Sequence, residues 1–144
     1  VAGADIRYLG KGDDEGDFEA GYFLRPSLVV DADPDLSVVR DEQFGPTLPV
    51  MPYDSENEAI AMANATNYGL SSSVWSADES RAVALAEWLE AGFTNINSHG
   101  PTAMDGLSPF GGVKQSGIGR NFGFEGIRQF QEVHSISGAS GTIF

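Results

Sequence analysis

Between residues 47 and 97 short runs of β-branched and aromatic residues alternate with segments that open on a helix-capping pair. This alternation restricts the fold more than any other feature of the chain. Residues 47–53 read as a strand interrupted by prolines. Ser55 followed three residues later by Glu58 forms a capping box that starts a helix running to about Ala65. Residues 71–76, centred on Val74 and Trp75, read as the next strand. A second box, Ser76 with Glu79, starts a helix that carries Ala82, Leu85, Ala86 and Leu89 on one stripe. Gly92 is expected to stop that helix as its C′ residue, and residues 93–97 make a third strand. Strands separated by helices of this length imply crossover units, hence an α/β fold of three layers with a largely parallel sheet. Ligands in such folds gather at the carboxyl ends of the strands, where Asn97, Ser98 and His99 fall.

The flanking segments are less regular. Residues 4–9 form a short apolar start, and residues 10–17 a Gly- and acid-rich excursion. Residues 21–30 read as a strand in which Pro26 marks an edge or a bulge. The loop over 100–122 holds two Pro and, before Gly119, five Gly, and is too long for a plain connector. Residues 124–130 can make a short helix, and 133–136 a last strand.

Composition removes several function classes. A net charge of −13, with 21 acidic residues against two Lys and six Arg, repels phosphate backbones and argues against nucleic acid or anionic membrane as partners. The chain has no Cys, so it offers neither disulfides nor a thiol nucleophile, and its two His cannot build a dense metal cluster. No apolar run approaches the length of a membrane span, and nothing at the N-terminus reads as a leader, so a cytoplasmic location is expected. At 144 residues the chain should bury roughly 70% of its extended surface around one core.

The stretch from Arg40 to Pro46 carries the clearest chemistry. Glu42 stands two residues before Phe44, and Gly45-Pro46 closes the run. A carboxylate accepts hydrogen bonds from two neighbouring hydroxyls, as on a ribose, and a Phe ring offers a flat apolar face to a sugar or nicotinamide ring. The same pattern also describes a solvated helix-end carboxylate followed by a core Phe. The cluster around Gly117 and Gly119 lacks the spacing of a dinucleotide fingerprint and reads as tight backbone packing.

Several motifs in order carry a resemblance over residues 1–137. They are Gly21-Tyr22-Phe23 with Pro26, Asp41-Glu42-Gln43-Phe44-Gly45-Pro46, Glu58-Ala59-Ile60 with Ala63-Asn64, Tyr68-Gly69-Leu70, and Ala91-Gly92 with Asn95 and Asn97. The last is Pro109-Phe110-Gly111-Gly112-Val113-Lys114-Gln115-Ser116-Gly117-Ile118-Gly119-Arg120. Together they resemble the C-terminal part of the catalytic domain of NAD(P)-dependent aldehyde dehydrogenases. The resemblance implies that Glu42 holds the nicotinamide ribose hydroxyls and that Phe44 packs beside the ribose and nicotinamide of NAD or NADP. It implies that 97–110 lines the outer tunnel for a small-molecule aldehyde, with Asn97, His99 and Phe110 as lining candidates, and that the strand near 133–136 joins subunits of a homo-oligomer. Lys114 and Arg120 are expected as ion-pair or carbonyl partners.

In that family the catalytic Cys, the general-base Glu, the oxyanion-hole Asn and the dinucleotide-binding domain lie upstream of the matched region. The chain is therefore expected to act with the upstream part of its own catalytic domain, to be inactive alone, and to perform no bond-making itself. A non-catalytic assembly module is the alternative.

Overall fold

The computed structural model describes residues 4–10, 20–139 and 141–142. Apart from Gly10, the acid-rich excursion at 10–17 lies outside the described residues. The chain divides into two compact units, Val1–Met62 and Ala63–Phe144.

In the first unit β1 (Asp5–Tyr8) pairs antiparallel with β2 (Ser27–Val30), which pairs in parallel with β3 (Thr47–Val50). The short helix α1 (Ser37–Arg40) makes the crossover between the two parallel strands. Alternation along β2 buries Ser27 and Val29, and Val29 is wholly inaccessible. The hydroxyls of Ser27 and Thr47 meet at 3.0 Å across the parallel pair. The strand expected over 21–30 forms only from Ser27, and it is the central strand, not an edge. Pairing starts one residue after Pro26, so the missing proline N–H is never needed, while the Pro26 carbonyl accepts from Leu9 N–H at 2.7 Å. Pro49 does lie on an edge strand of this sheet.

Helix α2 (Glu56–Asn64) begins where the capping box places it. Ser55 Oγ accepts from Glu58 N–H at 3.2 Å, and the Glu58 carboxylate accepts from Asp54 N–H at 2.8 Å. The return arm thus lands one residue before the usual one.

The second unit contains β4 (Tyr68–Gly69), β5 (Ser72–Val74), α3 (Glu79–Ala86), β6 (Thr94–Ile96), β7 (Val113–Lys114) and α4 (Gly123–Arg128). A hairpin of β8 (Ser137–Gly138) with β9 (Gly141–Thr142) follows. Strands β5 and β6 pair in parallel across α3, the second crossover, and β4 pairs antiparallel with β7. The α/β class is the observed one, with its parallel pairs at β2–β3 and β5–β6. Ala82, on the predicted stripe of α3, is fully buried.

Three local expectations give way here. The cap of α3 is Asp78, whose Oδ1 accepts from Arg81 N–H at 3.1 Å, while Ser76 Oγ takes Asp78 N–H in a preceding turn. A carboxylate adjoining the first helical residue is the stronger acceptor for the orphan amides. Gly92 is not the C′ residue, because α3 ends at Ala86. Its N–H donates to the Gly69 carbonyl at 3.0 Å, and a Cβ there would lie 1.8 Å from the Gly111 carbonyl oxygen. Finally, residues 133–136 form no strand; pairing begins at Ser137, which lies opposite Thr142.

Few apolar side chains are buried: among the described residues these are Val29, Ala32 and Ala82. The accessible surface is 11,121 Å², against about 7,100 Å² for a compact protein of 15.3 kDa. Even two separately folded pieces of these lengths would expose only about 8,600 Å². The chain therefore buries roughly half of its extended surface, short of the expected 70%. Among the described residues no helix is long and apolar enough to cross a membrane.

Candidate functional site

Residues 41–46 leave α1 in extended conformation at Asp41, whose N–H closes the helix on the Ser37 carbonyl at 2.8 Å. At the other end the Pro46 carbonyl accepts from Ser27 N–H at 2.8 Å. Between these anchors the Gln43 side-chain amide donates to the Thr47 carbonyl, so this residue ties the loop to the first residue of β3. Glu42 and Phe44 flank that tie. Glu42 is exposed and has no hydrogen-bond or ion-pair partner among the described residues. Phe44 is 98% exposed, which removes its reading as a core residue. A loop fixed at both ends presents a carboxylate with all its lone pairs available and an uncovered aromatic face. Those are the groups that a ribose diol and a flat heterocycle require.

In the second unit a cavity of about 190 Å³ is lined by Phe93, Asn95, His99, Pro101, Met104 and Phe110, together with Ser71 and Gly100. Phe93 and Phe110 meet edge to face, with centroids 5.5 Å apart and planes at 63°. His99 is exposed, and its Nδ1 lies 3.3 Å from Ser73 Oγ. The cavity draws residues from both ends of β5 and β6, because Ser71 and Phe93 precede the strands while His99 follows them. It is not confined to the carboxyl ends.

Phe110 is held by its backbone. It exchanges two hydrogen bonds with Asn121, at 2.7 and 2.8 Å. Alongside, Arg120 Nη1 donates to the Gly112 carbonyl at 2.9 Å and to the Gly119 carbonyl at 2.7 Å. A Cβ on Gly111 would lie 2.5 Å from the Gly119 carbonyl oxygen, so the glycines of this loop let backbone stack on backbone. Lys114 and Arg120 both serve carbonyl groups, as anticipated.

His99 and Phe110 thus share one cavity, whereas Asn97 does not line it. The Asn97 side chain is engaged with the backbone of Ser76 at 2.8 and 2.9 Å. The lining residues outside the expected 97–110 stretch are Phe93, Asn95 and Ser71. Period-two alternation could have found the first two, since Phe93, just before β6, and Asn95 within it are two residues apart and Asn95 is a buried amide.

Two crossover units, one beside a cavity with aromatic walls, define an α/β protein of the kind that houses small-molecule chemistry. The aldehyde dehydrogenase family model matches residues 1–136, and the chain belongs to that family. A Mycobacterium tuberculosis aldehyde dehydrogenase complexed with NAD+ superposes with a TM-score of 0.79 at 39% identity, over 90% of this chain and 26% of that one. An aldehyde dehydrogenase C mutant from Pseudomonas syringae, complexed with NAD+ and octanal, gives a TM-score of 0.79 at 35% identity over the same shares. In sequence, a protein of Staphylococcus haemolyticus (strain JCSC1435) provisionally named an aldehyde dehydrogenase is 43% identical over 136 residues. The match covers 94% of this chain and 28% of that protein, so the chain spans little more than a quarter of its relative's length.

Proposed function

We propose that the chain is the nicotinamide-seating and substrate-tunnel portion of an NAD(P)+-dependent enzyme that oxidises an aldehyde to its carboxylic acid. The observation that carries this reading is the pinned 41–46 loop, which holds an unpartnered Glu42 carboxylate and an uncovered Phe44 ring in a chain of the aldehyde dehydrogenase family. The NAD+ complexes of the Mycobacterium tuberculosis and Pseudomonas syringae relatives support the same choice of cofactor class.

Bound NAD(P)+ supplies the hydride acceptor. Glu42 accepts hydrogen bonds from the two ribose hydroxyls, and Phe44 packs against the ribose and nicotinamide. Gln43, through its tie to Thr47, keeps the two from drifting apart. The aldehyde's tail lies beside Phe110 and His99, while the thiol nucleophile and its base come from the rest of the enzyme, since the 144 residues contain no Cys. This chain makes and breaks no bonds. Its contribution is positioning, which can carry several kcal/mol of a barrier.

The enzyme is read as a cytoplasmic homo-oligomer, without nucleic-acid or membrane partners, in keeping with the charge of −13. A pure assembly role is the second reading, favoured by the large exposed apolar surface, in which Phe130 and Val133 are about nine-tenths accessible.

Glu42→Gln in the full-length enzyme tests the proposal. The change keeps shape but leaves one carbonyl oxygen for two hydroxyls, weakening the charge-assisted bonds by roughly 1–3 kcal/mol. Attack by the nucleophile does not need a well-placed nicotinamide, but hydride transfer does. Turnover should therefore fall and a deuterated aldehyde should react measurably more slowly than the ordinary one. Unchanged turnover with no new isotope effect would show that Glu42 does not bind the ribose.

A further inference from the structure

We propose that Asn97 is a positioning residue that sets where the 98–104 segment leaves β6, and thereby the size of aldehyde the cavity admits. The proposal rests on reading that cavity as the substrate tunnel. The parallel pair β5–β6 follows a regular ladder: Ser72 N–H donates to the Phe93 carbonyl, and Asn97 N–H to the Val74 carbonyl at 2.9 Å. One further step of that ladder would carry Ser76 N–H to the main-chain carbonyl of Asn97. Instead Ser76 N–H donates to Asn97 Oδ1 at 2.8 Å, and Asn97 Nδ2 donates back to the Ser76 carbonyl at 2.9 Å. The side-chain amide has replaced the main chain in the ladder.

The main chain, released from pairing, turns away with a φ of 49° at Asn97. Asn is among the few side-chain-bearing residues that adopt this left-handed conformation readily. The turn directs residues 98–104 to the cavity, which His99, Pro101 and Met104 line together with Phe93, Asn95 and Phe110. Strand β6 fixes Phe93 and Asn95, and the Asn121 pairing fixes Phe110. The position of the remaining wall depends on how the chain exits at Asn97. Its amide is bonded to Ser76 and does not line the cavity, so its effect on a substrate must pass through the segment it directs.

The test compares full-length enzymes carrying Asn97→Gly, Asn97→Asp or Phe110→Ala with the parent, using octanal and acetaldehyde as probes. Glycine retains the positive φ and loses both bonds to Ser76, which separates the amide's role from backbone strain. In Asn97→Gly the ratio of KM for octanal to KM for acetaldehyde should change about tenfold, and hydrogen exchange at the Ser76 amide should quicken. Asn97→Asp keeps the oxygen and loses the donor, so it should move the ratio less and in the same direction; it also serves if the glycine variant does not fold. A merely structural Asn97 would lower turnover of both aldehydes together and leave the ratio alone, which would overturn the proposal. If Phe110→Ala shifts the ratio and neither Asn97 variant does, the cavity is the tunnel and Asn97 does not govern it. If none of the three moves the ratio, the tunnel reading fails and takes this inference with it.

Discussion

Lys114 Nζ lies 2.7 Å from Glu90 Oε2 and at the same time donates to the carbonyls of Asn64 at 2.8 Å and Thr66 at 3.1 Å. The lysine side chain is 23% exposed, and its ammonium gathers the end of α2, the segment before Phe93, and β7. Asn64 reinforces the same junction, accepting from Glu90 N–H and donating to the Trp88 carbonyl, both at 2.8 Å.

The two partners of this ion pair should not be equivalent. Glu90→Gln leaves a neutral acceptor on a largely exposed side chain and should cost at most about 1 kcal/mol. Lys114→Met leaves the Asn64 and Thr66 carbonyls without their donor and should cost about 1–3 kcal/mol. Urea unfolding of both variants measures the difference; equal losses would mean that the carbonyl contacts contribute nothing.

Gly92→Ala should be among the most damaging small substitutions in the chain. A methyl 1.8 Å from the Gly111 carbonyl oxygen must displace backbone, at a cost of about 3 kcal/mol or more. Gly106→Ala meets nothing within 4 Å and should stay within about 0.5 kcal/mol. Thermal melting of the pair checks the contrast, and a Gly92→Ala protein melting with the parent would show that the loop gives way freely.

The isolated 144-residue chain should neither oxidise aldehydes nor remain monomeric. It has no thiol, and it exposes about 2,500 Å² more than two compact pieces of its lengths would. Reduction of NAD+ by the purified chain above a heat-killed control would refute the first statement. Light scattering tests the second: a mass of 15.3 kDa at every micromolar concentration would refute it.

Salt should stabilise the chain. With a net charge of −13 the folded state works against its own repulsion, and raising salt from 0.1 to 1 M shortens the screening length from about 10 to about 3 Å. Melting should rise by several degrees in sodium chloride and not in a nonelectrolyte of equal osmolality. The same response in both would assign the effect to the solvent and not to charge.

What the sequence determined by itself was whatever a few neighbouring residues decide. Ser55 and Glu58 start α2 because their partners lie within four residues, and Ala82, Leu85, Ala86 and Leu89 form a stripe because a helix repeats every 3.6 residues. The β5–β6 parallel pair followed from strands joined through a helix, whereas β2–β3, joined across α1, was not anticipated and the strands flanking α2 do not pair. Glu42 and Phe44 were legible as a pair because their chemistry is local, although only the structure showed the ring uncovered and Gln43 holding the loop. Gly92 and Asn97 mark the limit of local reading. One looked like a helix stop and the other like a cavity wall. Each is placed by a partner about 20 residues away, Gly111 for the first and Ser76 for the second. A glycine suits a helix end and a close backbone crossing equally well, and an amide suits a ligand and a ladder equally well. Only the tertiary approach of distant segments selects between them, because the competing local interactions are too similar in energy to decide.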